Sequence, residues 1–153
     1  MRIVIQRVKF AEVLVGDRSV ARIDKGLFLL LGFSNNDKEI YNSPLWFKII
    51  KKIPELRIFS DDEGKFNLSL MDVDGEILVV SQFTLYGDMK KGKRPSFTNS
   101  APYKEAKELY KAFIKDLEKV VPGRVKQGIF GANMDINLCN SGPVTLILDS
   151  DYM

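Results

Sequence analysis

Two short polar segments interrupt apolar stretches of this sequence, and both carry side chains that can do chemistry. The first is Ser81-Gln82-Phe83-Thr84, which lies inside the strand-like stretch 77–86. In a strand with a two-residue period, Ser81 and Phe83 face one way while Gln82 and Thr84 face the other. An amide and a hydroxyl within a sheet need hydrogen-bond partners, which neighbouring strands, solvent or a ligand can supply.

The second polar segment is Asn140-Ser141-Gly142-Pro143-Val144-Thr145. Proline lacks a backbone donor and Gly-Pro is a common turn signal, so one reading is a simple hairpin connection. The other reading is a cis peptide bond between Gly142 and Pro143, since bonds that precede proline adopt this isomer more readily than others. Both readings stay open on the residues alone.

The composition limits which chemistry these segments can perform. The sequence has no histidine and a single cysteine, Cys139. Ser-His-Asp and Cys-His nucleophilic machinery is therefore excluded, and so are the usual zinc sites built on histidine or several cysteines. We expect no metal and no cofactor, and an enzyme with this sequence has to work without an imidazole base.

Basic residues cluster in one place, at Lys90, Lys91, Lys93 and Arg94. The net charge of +3 is too small to indicate a nucleic-acid partner by itself. The run is either a solvated surface loop or a loop that contacts phosphates. It belongs to the segment 87–101, whose length is uncommon for a loop without a function.

Hydrophobic patterns predict the elements that must position these residues. Ser43 and Pro44 mark the start of a helix whose apolar face includes Trp46, and Pro102 opens a second helix. Alternating or continuous apolar runs predict the strands, which are Arg2–Val8, Glu12–Val15, Ser19–Ile23, Leu27–Phe33, Arg57–Phe59, Ile77–Tyr86, Arg124–Gln127, Met134–Cys139 and Val144–Asp149.

The order of these elements predicts a single α+β domain over residues 1–153. Most strands follow one another in hairpin order, which favours a curved, largely antiparallel, barrel-like sheet with both helices on one side. No apolar run approaches the roughly 20 residues that span a membrane. The start of the sequence lacks the features of a signal peptide, so we expect a soluble cytoplasmic protein.

With the two polar segments in place, the sequence resembles the D-aminoacyl-tRNA deacylases. The resemblance rests on SQFTL at 81–85 and NSGPVT at 140–145, and it extends from Met1 to about Asp149. Further matching segments occur in the family's order and spacing: Ile5-Gln6-Arg7-Val8, Arg57-Ile58-Phe59 with Asp61, Gly64-Lys65 with Asn67, Gly92 to Phe97, and Phe130-Gly131-Ala132 with Met134.

The resemblance implies a homodimer with active sites at the subunit interface. Gly142 and Pro143, joined by a cis bond, are expected to reach into the partner's pocket and hold the substrate's α-amino group with their carbonyl oxygens. The side chain of an L-amino acid then finds no room, whereas glycine cannot be excluded. Arg7 matches the arginine that holds this segment in the family; otherwise it is a surface ion-pair residue.

The resemblance also implies hydrolysis of the ester that joins the amino acid to the terminal ribose of tRNA. Ser81 and Gln82 are expected to orient the ester or the water, and N–H groups near Phe83 and Thr84 to stabilise the oxyanion. The ribose 2′-hydroxyl helps to activate the water; an alternative makes Thr84 the nucleophile.

Two ligand contacts complete what the resemblance implies. The terminal adenine is expected to lie against apolar groups, namely Phe130, Gly131, Ala132 and Met134. The four basic residues of the loop, Lys90, Lys91, Lys93 and Arg94, become phosphate contacts that position the RNA without reading its sequence.

Three other functions are compatible with parts of the sequence. A non-catalytic RNA-binding module would use the basic loop but leaves Gln82 and Pro143 unexplained. A small-molecule esterase would normally carry a histidine base. A related deacylase that removes L-amino acids would have a trans bond between Gly142 and Pro143.

Overall fold

Eight strands and two helices make up the protein. The computed structural model describes all residues from 1 to 153. The strands are β1 (Arg2–Val15), β2 (Arg18–Ile23), β3 (Gly26–Gly32), β4 (Phe59–Ser60), β5 (Phe66–Leu68), β6 (Glu76–Ser81), β7 (Val125–Gln127) and β8 (Asp135–Asp149). The helices are α1 (Pro44–Glu55) and α2 (Tyr103–Val120), with short 3₁₀ helices at Asp37–Ile40, Phe83–Tyr86 and Ser150–Tyr152.

Six of the strands form one curved sheet around β1. The sheet runs β2-β1-β3-β6-β7, and β8 pairs along the other edge of β1. The first half of β1 therefore lies between β3 and β8, and its second half lies between β2 and β8. Because β2 also approaches β6 and β7, the sheet is nearly barrel-like. The predicted α+β fold class is confirmed.

The sheet is mixed, with two parallel pairings among its antiparallel ones. β3 pairs in parallel with β6, and β6 pairs in parallel with β7. Parallel neighbours need a long crossover connection, which the two predicted helices supply: α1 lies between β3 and β6 in the chain, and α2 lies between β6 and β7. Both faces of this parallel part are buried, which explains why β3 and β6 are continuously apolar.

The helices cover one face of the sheet and hold the larger core. Ser43 caps α1 as predicted, with its hydroxyl accepting from the Trp46 backbone N–H at 3.2 Å. Trp46 is fully buried, packs edge-on against Phe113 and donates from Nε1 to Asp116 at 3.0 Å. A smaller apolar cluster, which includes Phe28 and Val80, fills the concave side of the sheet.

Several predicted strand boundaries are wrong. The strand predicted at Arg57–Phe59 is observed at Phe59–Ser60, and its partner β5 was not predicted. The strand predicted over Ile77–Tyr86 ends at Ser81, and residues 83–86 form a 3₁₀ helix. The predicted strands Arg2–Val8 and Glu12–Val15 are one strand, β1, and the strands predicted on either side of residues 140–143 are also one strand, β8. In each merged case both flanks pair with the same neighbour, which a local pattern does not reveal. No helix of the protein is long and apolar enough to cross a membrane.

Candidate active site

A cleft opens where the parallel strands β3 and β6 end. Its volume is about 650 Å³, and its walls come from the strand ends, the start of α2 and the segment between β7 and β8. Carboxyl ends of adjacent parallel strands are a common position for ligand sites, because the chain leaves the sheet there in different directions. The fold therefore creates a concave surface at the position of the first polar segment.

Gln82 is the residue at which the chain leaves the sheet. Its backbone N–H donates to the Leu31 carbonyl at 2.8 Å, which anchors this point to the end of β3. The chain then turns into the 3₁₀ helix, closed by bonds from Leu85 N–H to the Gln82 carbonyl and from Gly87 N–H to the Thr84 carbonyl. The predicted alternation of Ser81, Gln82, Phe83 and Thr84 across a strand is therefore wrong beyond Gln82.

Two backbone donors begin the turn beside the cleft: Phe83 lines the cleft, whereas Thr84, the next residue, is not among the lining residues. The N–H groups of Phe83 and Thr84 belong to the first turn of the 3₁₀ helix, where N–H groups have no partner within the helix. The Gln82 side-chain amide donates to the Thr84 hydroxyl. The carbonyl oxygen and the NH₂ group of a side-chain amide are both neutral, and neither is a base. Gln82 therefore cannot take the proton of the Thr84 hydroxyl.

The adjoining loop fixes Phe83 from the other side. Ser100 donates its hydroxyl to the Phe83 carbonyl at 3.0 Å, and the Phe97 ring packs edge-on against the Phe83 ring at a centroid distance of 5.1 Å. The Phe83 side chain still remains 57% exposed at the mouth of the cleft. The segment thus has a fixed backbone and an open aromatic surface.

The opposite wall of the cleft carries the residues predicted to hold an adenine. Phe130, Gly131, Ala132 and Met134 all line it. Gly131 has a φ of +77°, and a Cβ at this position would lie 2.8 Å from the Tyr103 hydroxyl. A glycine is therefore required there, both by the backbone conformation and by the neighbouring tyrosine.

Uncharged residues line the whole cleft. Among the lining side chains only the Tyr103 phenol is ionisable, and no carboxylate, ammonium, guanidinium or thiol is present. Beneath the cleft, burial raises the pKa of Tyr110, whose hydroxyl donates to the Val79 carbonyl at 2.8 Å. No group of three or more His, Cys, Asp or Glu side chains converges anywhere in the chain to hold a metal ion. The site can therefore offer hydrogen bonds and shape, but no side-chain base.

Gly142, Pro143 and Arg7 do not line this cleft. Gly142 and Pro143 are exposed, and the peptide bond between them is cis. They belong to a bulge in β8, because Val8 pairs with Asn140 and Gln6 pairs with Thr145, so that Arg7 alone lies opposite residues 141–144. The Asn140 side chain closes the base of this bulge by accepting from the Val144 N–H at 2.8 Å.

The basic run forms the exposed tip of a loop. Asp88 and Ser96 pair their backbones at 2.8 and 2.9 Å, which closes the loop around Gly92. All four basic side chains, Lys90, Lys91, Lys93 and Arg94, are exposed, and none forms an ion pair within the chain. They carry unneutralised positive charge on a loop whose other residues, Phe97 and Ser100, contact Phe83.

Three residues of the site were not predicted from the sequence. Phe97 and Ser100 support Phe83, and Tyr103 forms part of the wall beside Phe130 at a ring distance of 5.3 Å. The unusual length of the loop 87–101 was a signal that the segment had a function. Nothing in its local sequence indicates which of its residues reach the cleft.

Comparison with known proteins assigns this arrangement first to a class. A solved chain described as a probable eukaryotic D-amino acid tRNA deacylase has the same fold, with a TM-score of 0.78 at 20% identity, over 96% of this chain and 97% of that one. Another solved chain, described as c-Myc DNA Unwinding Element Binding Protein, has a TM-score of 0.87 at 39% identity, over 97% of this chain and 98% of that one. The fold is therefore that of the tRNA deacylases.

Sequence relatives then define the family. The family model described as D-Tyr-tRNA(Tyr) deacylase matches residues 4–149. Proteins named D-aminoacyl-tRNA deacylase are 51% identical in Petrotoga mobilis, over 100% of this chain and 99% of that protein, and 50% identical in Thermosipho melanesiensis, over 98% and 97%. The chain belongs to the D-Tyr-tRNA(Tyr) deacylase family, and it is a hydrolase.

Proposed function

We propose that this hydrolase cleaves the ester bond of D-aminoacyl-tRNA and releases the free D-amino acid and the tRNA. The observation that carries the proposal is the uncharged cleft, which adjoins a 3₁₀ turn whose first two N–H groups, on Phe83 and Thr84, have no partner within the chain. Ester hydrolysis needs a place where negative charge on the carbonyl oxygen is stabilised, and preorganised N–H groups in an apolar site do this well. The family membership of the chain supplies the substrate class.

The chemical step follows from the groups available. Water attacks the ester carbonyl carbon, and the Phe83 and Thr84 N–H groups stabilise the oxyanion, while Gln82 and Ser81 orient the ester or the water. The bond to the ribose 3′-oxygen then breaks, and that oxygen takes up the proton. Because the cleft offers no side-chain base, the neighbouring ribose 2′-hydroxyl is the group that helps to activate the water.

The rest of the substrate uses the remaining surfaces. The terminal adenine lies against the wall of Phe130, Gly131, Ala132 and Met134, where an apolar surface suits a planar base. Exposed Lys90, Lys91, Lys93 and Arg94 contact phosphates of the acceptor arm, which positions many different tRNAs without reading their sequence. The protein acts in the cytoplasm, where aminoacylated tRNA is used.

A second copy of the chain supplies stereochemical selection. Gly142 and Pro143 project from the surface of their own chain and do not reach its cleft, so their place is in the cleft of a partner within a homodimer. Their backbone occupies the volume that the side chain of an L-amino acid would need. Rejection by exclusion can discriminate more strongly than added attraction for the correct substrate.

Glycine provides a test of selection by exclusion. It has no side chain to be rejected, so we expect cleavage of glycyl-tRNA, including glycine mischarged on tRNA-Ala. An enzyme that releases D-amino acids but leaves glycyl-tRNA intact at high enzyme concentration would contradict this mode of selection.

The decisive experiment compares the release of D-tyrosine and L-tyrosine from tRNA by the wild type and Gln82→Ala. We expect rapid release of the D-form alone, and a loss of about 10- to 100-fold in the variant. Asn137→Ala is a matched control, because Asn137 is exposed on β8 and alternates with the cleft residue Ile136. Binding of the tRNA without any release would instead indicate a non-catalytic RNA-binding module. Equal release of both enantiomers would exclude stereochemical selection.

A further inference from the structure

The bulge of β8 depends on one side chain from β1. Between the pairs Gln6 with Thr145 and Val8 with Asn140, the four residues 141–144 have only Arg7 opposite them. Arg7 fills this gap and donates from Nε to the Ser141 carbonyl at 3.0 Å. A Cβ on Gly142 would lie 2.8 Å from Arg7 Nη2, so the guanidinium also limits where the Gly142 backbone can lie.

Arg7 is in turn held by the small two-stranded sheet. Its Nη1 donates to the Ile58 carbonyl, just before β4, at 2.6 Å. Its guanidinium carbon lies 5.0 Å from the centre of the Phe66 ring on β5, within the range of a cation–π interaction. Arginine has a long side chain with many rotamers, so each contact restricts the conformations of Arg7. The bulge that Arg7 holds is restricted in turn.

The small sheet is well fixed by its own hydrogen bonds. The Asp61 carboxylate accepts from the N–H groups of Glu63 and Lys65 at 3.0 and 2.9 Å, which closes the turn between β4 and β5. Arg57 Nη1 donates to the Asn67 carbonyl at 2.8 Å, which ties the residue before Ile58 to the residue after Phe66. Phe66 is therefore presented to Arg7 from a defined position.

Phe66 has no role in the core. Its side chain is 56% exposed, and it belongs to neither apolar cluster. The Arg7 guanidinium is the group that its ring faces. An exposed phenylalanine whose ring lies over a buttressing arginine acts on that arginine rather than on folding.

We infer that Phe66 is a positioning residue for stereochemical selection, which it serves by holding Arg7 and, through Arg7, the Gly142-Pro143 bulge. The inference rests on the proposed function, since it assigns the bulge to selection. Phe66 does not line the cleft of its own chain. Its effect falls on the discrimination between enantiomers and leaves the hydrolytic groups around Gln82 in place.

The test measures kcat/KM for D-tyrosyl-tRNA and for L-tyrosyl-tRNA at high enzyme concentration. In Phe66→Ala we expect the D-to-L ratio to fall about fivefold, which is the size that a cation–π contact at an exposed site supports. Phe66→Tyr keeps the ring and should restore the ratio. Phe47→Ala is the matched control, because Phe47 is 42% exposed on α1 and has no contact with Arg7; its ratio should equal that of the wild type.

A double-mutant cycle separates positioning from a general loss of structure. In an Arg7→Met background, Phe66→Ala should change the ratio no further, since the cation that the ring holds is already gone. The thermal unfolding midpoint and the oligomeric state of Phe66→Ala should match those of the wild type. An unchanged ratio in Phe66→Ala, an additive effect in the double variant or a changed oligomeric state would overturn the inference. Failure of the wild type to distinguish the enantiomers would instead overturn the proposed function.

Discussion

The cleft and the β8 bulge differ in where their polar and charged groups lie. At the cleft, the chain offers backbone N–H groups, an amide and apolar walls, and its lining carries no charged side chain. At the bulge, the exposed part is plain backbone, and a charged side chain, Arg7, holds it from behind. One region presents its polar groups to a ligand, whereas the other uses its polar side chains only for support.

This difference shows where rigidity matters in a hydrolase without a side-chain base. In the proposed mechanism a substrate hydroxyl helps to activate the water, so the groups of the cleft need only stabilise the negative charge on the carbonyl oxygen. Under the proposed function, the bulge selects by occupying volume, so a small displacement of its backbone is enough to weaken selection. Accordingly, the bulge is held by the side chains of Asn140 and Arg7, and Arg7 is held by its own partners.

Gly142→Ala should break the bulge and have the largest effect. Gly142 has a φ of +129°, and an added Cβ would lie 2.8 Å from Arg7 Nη2 and 2.9 Å from Val144 Cγ2. The backbone has to move, and a shift of about 1 Å in a positioning group can cost about 100-fold in rate. The Gly142 and Pro143 carbonyls are also expected to hold the substrate's α-amino group, so we expect a loss of this order in D-tyrosine release, measured at limiting substrate.

Gly16→Ala is the control for this substitution. Gly16 also has a positive φ, +58°, but its added Cβ would meet nothing within 4 Å. It should lose a little stability and keep its rate. Equal rate losses in both variants would show that backbone conformation, and not the bulge, is responsible.

Removing charge from the basic loop should affect binding while sparing both regions. In Lys90→Ala/Lys93→Ala we expect KM for aminoacyl-tRNA to rise about tenfold at low salt, with kcat unchanged. The slope of log KM against log salt concentration should become shallower by about 0.7–0.9 for each lost phosphate contact. Lys48→Ala/Lys51→Ala removes the same charge from the exposed face of α1; the same shift in that variant would mean that net charge alone matters.

Asp149→Asn tests the link between the two regions. Arg2 donates to Asp149 at the end of β8 at 2.8 Å and to the Leu85 carbonyl, in the 3₁₀ helix after Gln82, at 2.7 Å. Burial alone would raise the pKa of the Asp149 carboxyl, but hydrogen bonds from Arg2 and the Asp151 N–H outweigh burial and lower this pKa. We expect Asp149→Asn to reduce the free energy of unfolding at pH 7 by on the order of 1 kcal/mol, because the pair is partly screened by solvent.

The pH dependence of that difference follows from the lowered pKa. The carboxylate stabilises the folded state fully above its unfolded pKa of about 3.9, and this contribution is lost as pH falls through the folded pKa. The free energies of unfolding of the wild type and Asp149→Asn, measured by denaturation, should therefore converge in acid. Asp62→Asn, in an exposed turn, should match the wild type throughout; a difference that stays constant down to pH 2 would show that the charge of Asp149 is not its source.

Thr84→Ala should have the smallest effect and still decides the chemistry of the cleft. Without a base beside its hydroxyl, Thr84 is a poor nucleophile, so we expect D-tyrosine release to stay within about threefold of the wild type. Single-turnover release from D-tyrosyl-tRNA measures this directly. Essentially complete loss of release would establish covalent catalysis by Thr84.

Much of the fold could be predicted because its signals are local. The adjacent residues Ser43 and Pro44 are enough to predict where α1 starts. The continuous apolar run of β3 is enough to predict a strand that is buried on both faces. The parallel pairing of β3 with β6 was less accessible, since it depends on where α1 lies after folding. A hairpin order in the sequence does not encode this crossover.

The site was harder to predict because its shape depends on distant partners. The alternation of residue types in Ser81–Tyr86 is compatible both with a strand and with the observed turn. The strand ends where the Gln82 N–H bonds to the Leu31 carbonyl, a contact that the local sequence does not reveal. Gly142-Pro143 signals a turn, but only the pairing of both flanks with β1 makes it a bulge. Phe66 could not be connected with Arg7 at all, since 58 residues separate the two positions in the sequence.

β8 pairs with no strand of its own chain other than β1, so it lies at an edge of the sheet, as β2 and β7 do, and edge strands open more readily than inner ones. Under the proposed function, discrimination between enantiomers therefore depends on a strand at the edge of the sheet, which opens before the centre does. On warming, release of L-amino acids should increase while the cleft, which is built on the inner strands β3 and β6, still hydrolyses the ester. For such an enzyme the upper temperature limit of useful proofreading lies below the temperature at which activity disappears.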